Sequence, residues 1–433
     1  MKRTSCVLTE RLGSDDEDLG SSDEGEAEFQ SDGQDAAESA DGKRLRLARQ
    51  YLDVVNRETA RADEAEKEDD GEDAVASRLQ RDADIARGRY VRPMAQRVFG
   101  ELPGDATRQL RGHDMAVTSV ALAPDDSRVY SGSKDGTVGV WDTETGRRIA
   151  SLRDNEAVRG RKSHILSVAV SSDGRLLASG GRDGLVRVWD ARANSAKQRG
   201  SPLASYQGHR GYVSGVCFQQ DSHQLYSSGE DRLVKLWNCD ELAYVDTLFG
   251  HQSEVLAVAS CGTRERCVTS SADGTVRVWK IVDESQLVFR YSGASSNVDA
   301  VAVVNDNTMV SGAQDGRLSV WSTLKKKPAS SVDAHVAEQA ERSWISAVAA
   351  VPFSDLVASG AGDGRVRLWS CKDQKLLPLL EVPVKGWVNG LALGGSGTLL
   401  AAAIGKEQRL GRWAPLPGSR NCVTIVRVGE MGA

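Results

Sequence analysis

The chain has 433 residues, 40% of them hydrophobic, and a formal net charge of −6. No apolar run approaches the roughly 18 residues that a membrane-spanning helix needs, and the N-terminus lacks the apolar centre of a secretory signal. The seven cysteines (Cys6, Cys217, Cys239, Cys261, Cys267, Cys371 and Cys422) contain no CxxC pair, which points to buried thiols in a reducing compartment rather than a zinc or disulfide framework.

Residues 14–42 hold twelve acids and no Lys or Arg. Such a stretch cannot assemble a core, so an acidic disordered tail is expected over 1–42, serving solubility, interaction or phosphorylation. From Lys43 the pattern changes. Leu45, Leu47, Ala48, Tyr51, Leu52 and Val55 recur at mostly helical spacing, with Asp41 placed to cap the start. A second helix is expected over about 73–87, with Val75, Leu79 and Ile85 as a thin apolar face. Helices this short are marginal alone, so a helical extension over 43–98 is expected to order on a partner. Its basic run Lys43, Arg44, Arg46 and Arg49 suits nuclear import or phosphate contact. Residues 1–105 carry 27 acidic and 16 basic residues, which leaves the remainder at net +5.

Beyond this point one pattern recurs. The stretch SGGRDGLVRVWD, residues 179–190, reads as two short strands joined at Asp183-Gly184, where Asp bonds its own backbone and Gly takes positive φ. Relatives of it close on Trp141, Trp189, Trp237, Trp279, Trp321, Trp369 and Trp413, at spacings of 48, 48, 42, 42, 48 and 44. Six residues before each stands an acid: Asp135, Asp183, Asp231, Asp273, Asp315, Asp363 and Glu407. A hairpin of this kind cannot bury its apolar face alone. A repeat of roughly 40 to 45 residues with this signature specifies an all-β, seven-bladed WD40 β-propeller, expected over 99–433.

Gly-His pairs precede several repeats, at His113, His209 and His251. His164 is placed at the same point without its Gly, the fifth and seventh repeats have lost the pair, and the sixth keeps His335 at a longer distance. In WD repeats this His joins the turn Asp and the Trp in a buried hydrogen-bonded set, so these residues read as structural rather than metal ligands or general bases. The ring must close to hide a strand edge. Residues 107–110 and 422–428 are both candidates; the favoured arrangement has the N-terminal strand entering the last blade with 422–428 beside it.

No catalytic constellation, phosphate-binding loop or cofactor motif is present, so neither an enzyme nor a small-molecule substrate or cofactor is expected. The informative residues are aromatics that do not close a strand. Tyr212, Trp344 and Trp387 each stand where an innermost strand starts, with Arg210, Arg342 and Lys385 two positions earlier. Lys134, Arg182 and Lys406, just before the turn acids, share the expected rim. Aromatics beside cations suit unpaired RNA bases and phosphate, or a protein hot spot; the alternative is packing between neighbouring blades. The basic stretches 159–162 and 325–327 are further candidates.

Several segments carry more than the generic signature: KRLRLARQYLD, SRLQRDADIARGR, HQLYSSGEDRLVKLWN, YVDTLFGHQ, DESQLVF, RSWISAVAAVPFSDLVASG and IGKEQRLGRW. Together they resemble the WD-repeat subunit of the U3 small nucleolar ribonucleoprotein, from about residue 43 to 428. The resemblance implies a scaffold that binds U3 snoRNA at its box B/C element beside a small kink-turn-binding protein. It further implies assembly with other snoRNP and small-subunit processome proteins, action in pre-rRNA processing and small ribosomal subunit biogenesis, and a nucleolar location. A competing reading is a cullin ubiquitin-ligase substrate receptor, since Trp189-Asp190-Ala191-Arg192 matches the WDxR ending such receptors use.

Overall fold

The structure is a computed structural model that describes residues 79, 83–84 and 90–429, except 105, 155–162, 193–200, 261, 263–264, 294–296, 336–342, 412–415 and 417. The chain divides into two compact units, Met1–Leu79 and Gln80–Ala433. The expected acidic tail and first helix lie outside the described residues. Leu79, Ala83 and Asp84 are helical and fall within the second expected helix. Residues 90–98, assigned by sequence to the helical extension, hold only a single 3-10 turn, Ala95–Arg97. They lie along the sixth blade instead, with the Met94 and Ala95 amides donating to Asp355 Oδ1 at 2.7 and 2.9 Å.

Seven four-stranded antiparallel sheets make up the second unit. Their innermost strands are Val117–Leu122, Ile165–Val170, Val213–Phe218, Val255–Ser260, Val298–Asn305, Ile345–Ala350 and Trp387–Leu393. Six open on a β-branched residue that is buried, and in the seventh buried Val388 stands one place in. Such residues fit a pleated surface covered on both faces. The second strand of each blade is rich in small residues because the next blade comes close. A Cβ on Gly132 would meet Ile165 and Val168 at 2.8 Å.

Every inner strand carries a register shift at its start, between Val117 and Ser119 and at the matching place in the other six blades. A bulge of this kind re-aims one side chain. The bulged residues are Thr118, Leu166, Ser214, Leu256, Asp299, Ser346 and Asn389. Four of them reach the first carbonyl pairs of the next blade. Thr118 Oγ1 donates to Ile165 O at 2.6 Å and Asn389 Nδ2 to Val117 O at 2.8 Å, while Ser214 donates to Val255 O and Ser346 to Val388 O.

The ring closes in the favoured way. Thr107–Leu110 pairs antiparallel with Cys422–Arg427, from Thr107 opposite Val426 to Leu110 opposite Val423, and that strand pairs in turn with Leu399–Gly405. The seventh hairpin differs from the sequence expectation. After Leu399–Gly405 a described segment, 406–411, leaves the sheet, and the third strand of the blade is Cys422–Arg427 rather than one ending at Trp413. Val129 faces Trp141 in the first blade, and Leu400 in the same place faces Val426. Val426, fully buried, therefore fills the position expected of Trp413, which lies outside the described residues. An excursion has replaced the tight acid-Gly turn.

Leu110 is buried in the seam between the first and last blades with Val117, Trp141, Ala403 and Val423. Leu110→Ala should lower the unfolding free energy by about 2–4 kcal/mol in denaturant titrations. Thr107→Ala, at an exposed position on the same strand, should change it by less than about 0.5 kcal/mol.

Candidate binding face

The hydrogen-bonded sets set the blades' geometry and so the placement of the rim. In the first blade His113 Nδ1 lies 3.0 Å from Asp135 Oδ2 and Nε2 lies 2.8 Å from Ser131 Oγ, which also accepts from Trp141 Nε1 at 2.7 Å. The third blade repeats this with His209, Asp231, Ser227 and Trp237, and the fourth with His251, Asp273, Thr269 and Trp279. In the sixth, His335 reaches Asp363 and Ser359 at 2.8 Å each despite its longer connection, and Trp369 donates to Ser359. Burial pushes these aspartates up, but the hydrogen bonds from His, and from Thr137 and Thr275 where present, outweigh it. Asp135 and Asp273 end well below the usual carboxylate range.

Two blades improvise. In the fifth, the Tyr291 hydroxyl takes the place of His and donates to Asp315 at 2.7 Å, while Trp321 keeps its bond to Ser311. In the second, Trp189 keeps Ser179, but buried Arg187 binds Asp183 at 2.6 Å and Asp154 at 2.7 Å. Asp183 is exposed as a result. His164 does not hold the place expected of it: it adjoins the inner strand Ile165–Val170, whereas His113, His209 and His251 stand four residues ahead of theirs.

Arg182, Arg210, Lys385 and Lys406 are exposed on the face where the inner strands begin, and none makes an ion pair among the described residues. Trp387 pairs in register with Gly405, so Lys385, Trp387 and Lys406 gather on the seventh blade. Lys134 does not belong with them. It is buried, and its ammonium donates to Gln408 O at 2.6 Å and Gly411 O at 2.9 Å and meets Glu407 at 3.3 Å. Residues 407–411 reach the first blade and take Lys134 out of solvent. Arg342 lies outside the described residues.

The aromatics are half-buried and engaged between blades. Trp387 stacks edge-on against Trp344 with ring centroids 6.3 Å apart, over Gly362, where a Cβ would come within 2.4 Å of its ring. Trp344 donates its indole N–H to Asp299 of the fifth blade, and the Tyr212 hydroxyl donates to Glu254 of the fourth.

The sequence reading missed the centre of this face. From the segment that follows Leu399–Gly405, Arg409 crosses the ring, and its guanidinium donates to Leu256 O at 2.6 Å and Ser214 O at 3.4 Å in the fourth and third blades. Asp299 stands close enough for charge interaction, in the bulge position that elsewhere holds Thr, Ser, Asn or Leu. Burial pushes its carboxyl up to about 7, with Arg409 pulling the other way and Glu254 adding to the rise. Its signal in the sequence was an acid inside the apolar run VDAVAVV; Arg409 had none. Among the described residues no cluster of three metal-ligating side chains occurs, and no helix is long and apolar enough to cross a membrane.

Two stability results follow. Asp273→Ala leaves His251 and Thr275 without their acceptor and should cost about 1–3 kcal/mol; Asp183→Ala should cost less, since Arg187 retains Asp154. Asp273 has a folded value below its unfolded one, so its contribution is present above about pH 4 and fades as pH falls through the folded value; thermal midpoints across acid pH check this. Asp299 runs the other way. Its folded value is raised, so its contribution is greatest below about pH 4 and declines as pH climbs toward 7. Asp299→Asn should flatten that decline in midpoints measured between pH 4 and 8.

Comparison with known proteins agrees with this architecture. The family model "WD domain, G-beta repeat" matches residues 104–142, 155–190, 200–238, 243–280, 285–322 and 326–370. The chain is 36% identical over 434 residues to the U3 snoRNP-associated protein-like EMB2271 of Arabidopsis thaliana, covering 95% of this chain and 90% of that one. It is 39% identical over 397 residues to the human U3 small nucleolar RNA-interacting protein 2, covering 90% and 82%. A solved structure of U3-55K aligns with a TM-score of 0.69 at 40% identity, over 75% of this chain and 99% of that one. With a seven-bladed ring and relatives matched along most of their length, the chain belongs to the U3 snoRNP-associated family of WD-repeat proteins.

Proposed function

We propose that this chain is a non-enzymatic scaffold of the U3 small nucleolar ribonucleoprotein, acting in pre-rRNA processing for the small ribosomal subunit in the nucleolus. It binds U3 snoRNA at the box B/C element beside a small kink-turn-binding protein and holds further snoRNP proteins. The relatives' association with U3 supports the assignment. On this chain the observation that carries it is the pair of exposed lysines Lys385 and Lys406 beside half-buried Trp387 on one blade, with Arg182 and Arg210 exposed on the same face. Lysine and arginine side chains that lack an internal anion are suited to phosphate, and a half-buried tryptophan offers a ring edge to a base or to a protein. The interior beneath contributes rigidity: the channel is spanned by Arg409, and Lys134 and Trp344 are committed to internal bonds.

The test is binding of the purified full chain to U3 RNA, with and without the kink-turn protein, at two salt concentrations. Lys385→Ala and Lys406→Ala should each weaken binding modestly and reduce the salt slope by about one ion. Trp387→Ala should cost about 1–3 kcal/mol if it stacks a base. Wild-type affinity and salt slope in the double lysine variant would remove this face from RNA recognition.

A further inference from the structure

The end of the propeller opposite this face has a different character. The turns between third and fourth strands lie there, and in the fifth and sixth blades both are rich in lysine. The fourth strand Lys325–Asp333 opens Lys325, Lys326, Lys327, and the sixth blade turns at Lys372 and Lys375, which pair in register. All five lysines are exposed. None makes an ion pair among the described residues, and the exposed acid between them is Asp373.

Between these turns runs a groove of about 830 Å3. Leu324 and Leu377, 73% and 55% exposed, line it together with Pro378, Leu379 and Val91. Apolar side chains left this open beside unpaired cations are more than the scattered exposure of an ordinary surface. The walls are held in place. Ser330 Oγ donates to Gln374 O at 2.6 Å, fixing the sixth-blade turn against the fifth-blade strand, and that turn holds Asp373 and Gln374 at φ 52° and 61°. On the other side the Arg92 amide donates to Phe353 O at 2.7 Å, and Asp355 takes the Met94 and Ala95 amides. A preformed groove binds without the cost of ordering its own walls.

We propose that this groove is a docking site for an acidic peptide segment with leucine-type anchors, contributed by a partner protein. This goes beyond the scaffold reading and concerns the opposite face. Lys372 lines the groove and the other four lysines stand on the turns flanking it, against one exposed acid, Asp373, since Asp355 at its base is taken up by the Met94 and Ala95 amides; this balance calls for an anion at the mouth, and Leu324, Leu377, Pro378 and Leu379 call for apolar side chains between its charges. Nucleic acid fits less well: no aromatic ring and no arginine lines the groove to stack a base. A volume of this size accommodates a few apolar side chains, with the carboxylates left at the lysine rim.

The experiment uses the purified full chain and three fluorescein-labelled probes: an aspartate-rich peptide containing leucines, the same peptide with serine for leucine, and oligouridine. Fluorescence anisotropy should detect the leucine peptide binding more tightly than the serine peptide. The triple variant Lys325→Glu, Lys327→Glu, Lys372→Glu should weaken the leucine peptide by about tenfold or more. Leu377→Ser should weaken the leucine peptide alone. Oligouridine, held by the other face, should be reduced far less than the peptide by the triple variant. Equal affinity for the two peptides, no loss in either variant, or an equal or larger loss for oligouridine would each overturn the proposal. Circular dichroism melts of the variants, all at exposed positions, check that the fold is retained.

Discussion

The ring depends on one strand pairing. Thr107–Leu110 is the first strand of the propeller in sequence and the outermost of its last blade, hydrogen-bonded to Cys422–Arg427. Without it the last sheet would lose its fourth strand and the seam with the first blade would lose Leu110. Bringing together strands from opposite ends of a long chain costs closure entropy, and the reward is that no large edge is left open. Every other blade is built from consecutive strands and needs only its neighbours. The seventh alone requires the whole ring to have formed.

Inside the ring the blades are tied by a recurring device. The bulge at the start of each inner strand aims one side chain toward the next blade, and Thr118, Ser214, Ser346 and Asn389 use it to bond across. Asp299 occupies the same place with an acceptor where those four bring a donor; it takes the Trp344 indole N–H and lies close enough to Arg409 for their charges to interact, while the guanidinium itself bonds the Leu256 and Ser214 carbonyls. A buried carboxyl near a half-buried arginine is a weak source of stability. The described part of the excursion, 406–411, is tied down by hydrogen bonds instead: Arg409 to the third and fourth blades, and Glu407 and the Gln408 and Gly411 carbonyls to Lys134 of the first.

The two ends of the propeller are thereby distinguished. One carries aromatics wedged between blades and separated cations whose spacing is set by a plugged, hydrogen-bonded interior. The other carries lysines concentrated on two adjacent turns around an apolar groove. A ring of seven similar sheets gains this asymmetry from residues at the strand ends, because the strands themselves are occupied with packing.

Much of this was legible in the residues alone. The acid-to-tryptophan offset is local: in six blades both members lie on one hairpin, so its recurrence reports those blades directly, and the Gly-His signal picks out the sets at His113, His209 and His251. Reading failed where partners are distant. His164 adjoins a strand while Arg187 binds Asp183, Tyr291 replaces a histidine from outside the motif, and Val426 fills the position expected of Trp413 because the hairpin is broken. Lys134 looked like a rim cation until a segment from the far end of the chain covered it. Short-range pattern determines strand, turn and repeat, since those obey dihedral preference and alternation. Which charges remain in water and which are buried is decided by contacts between residues hundreds of positions apart, and only the closed ring creates those contacts.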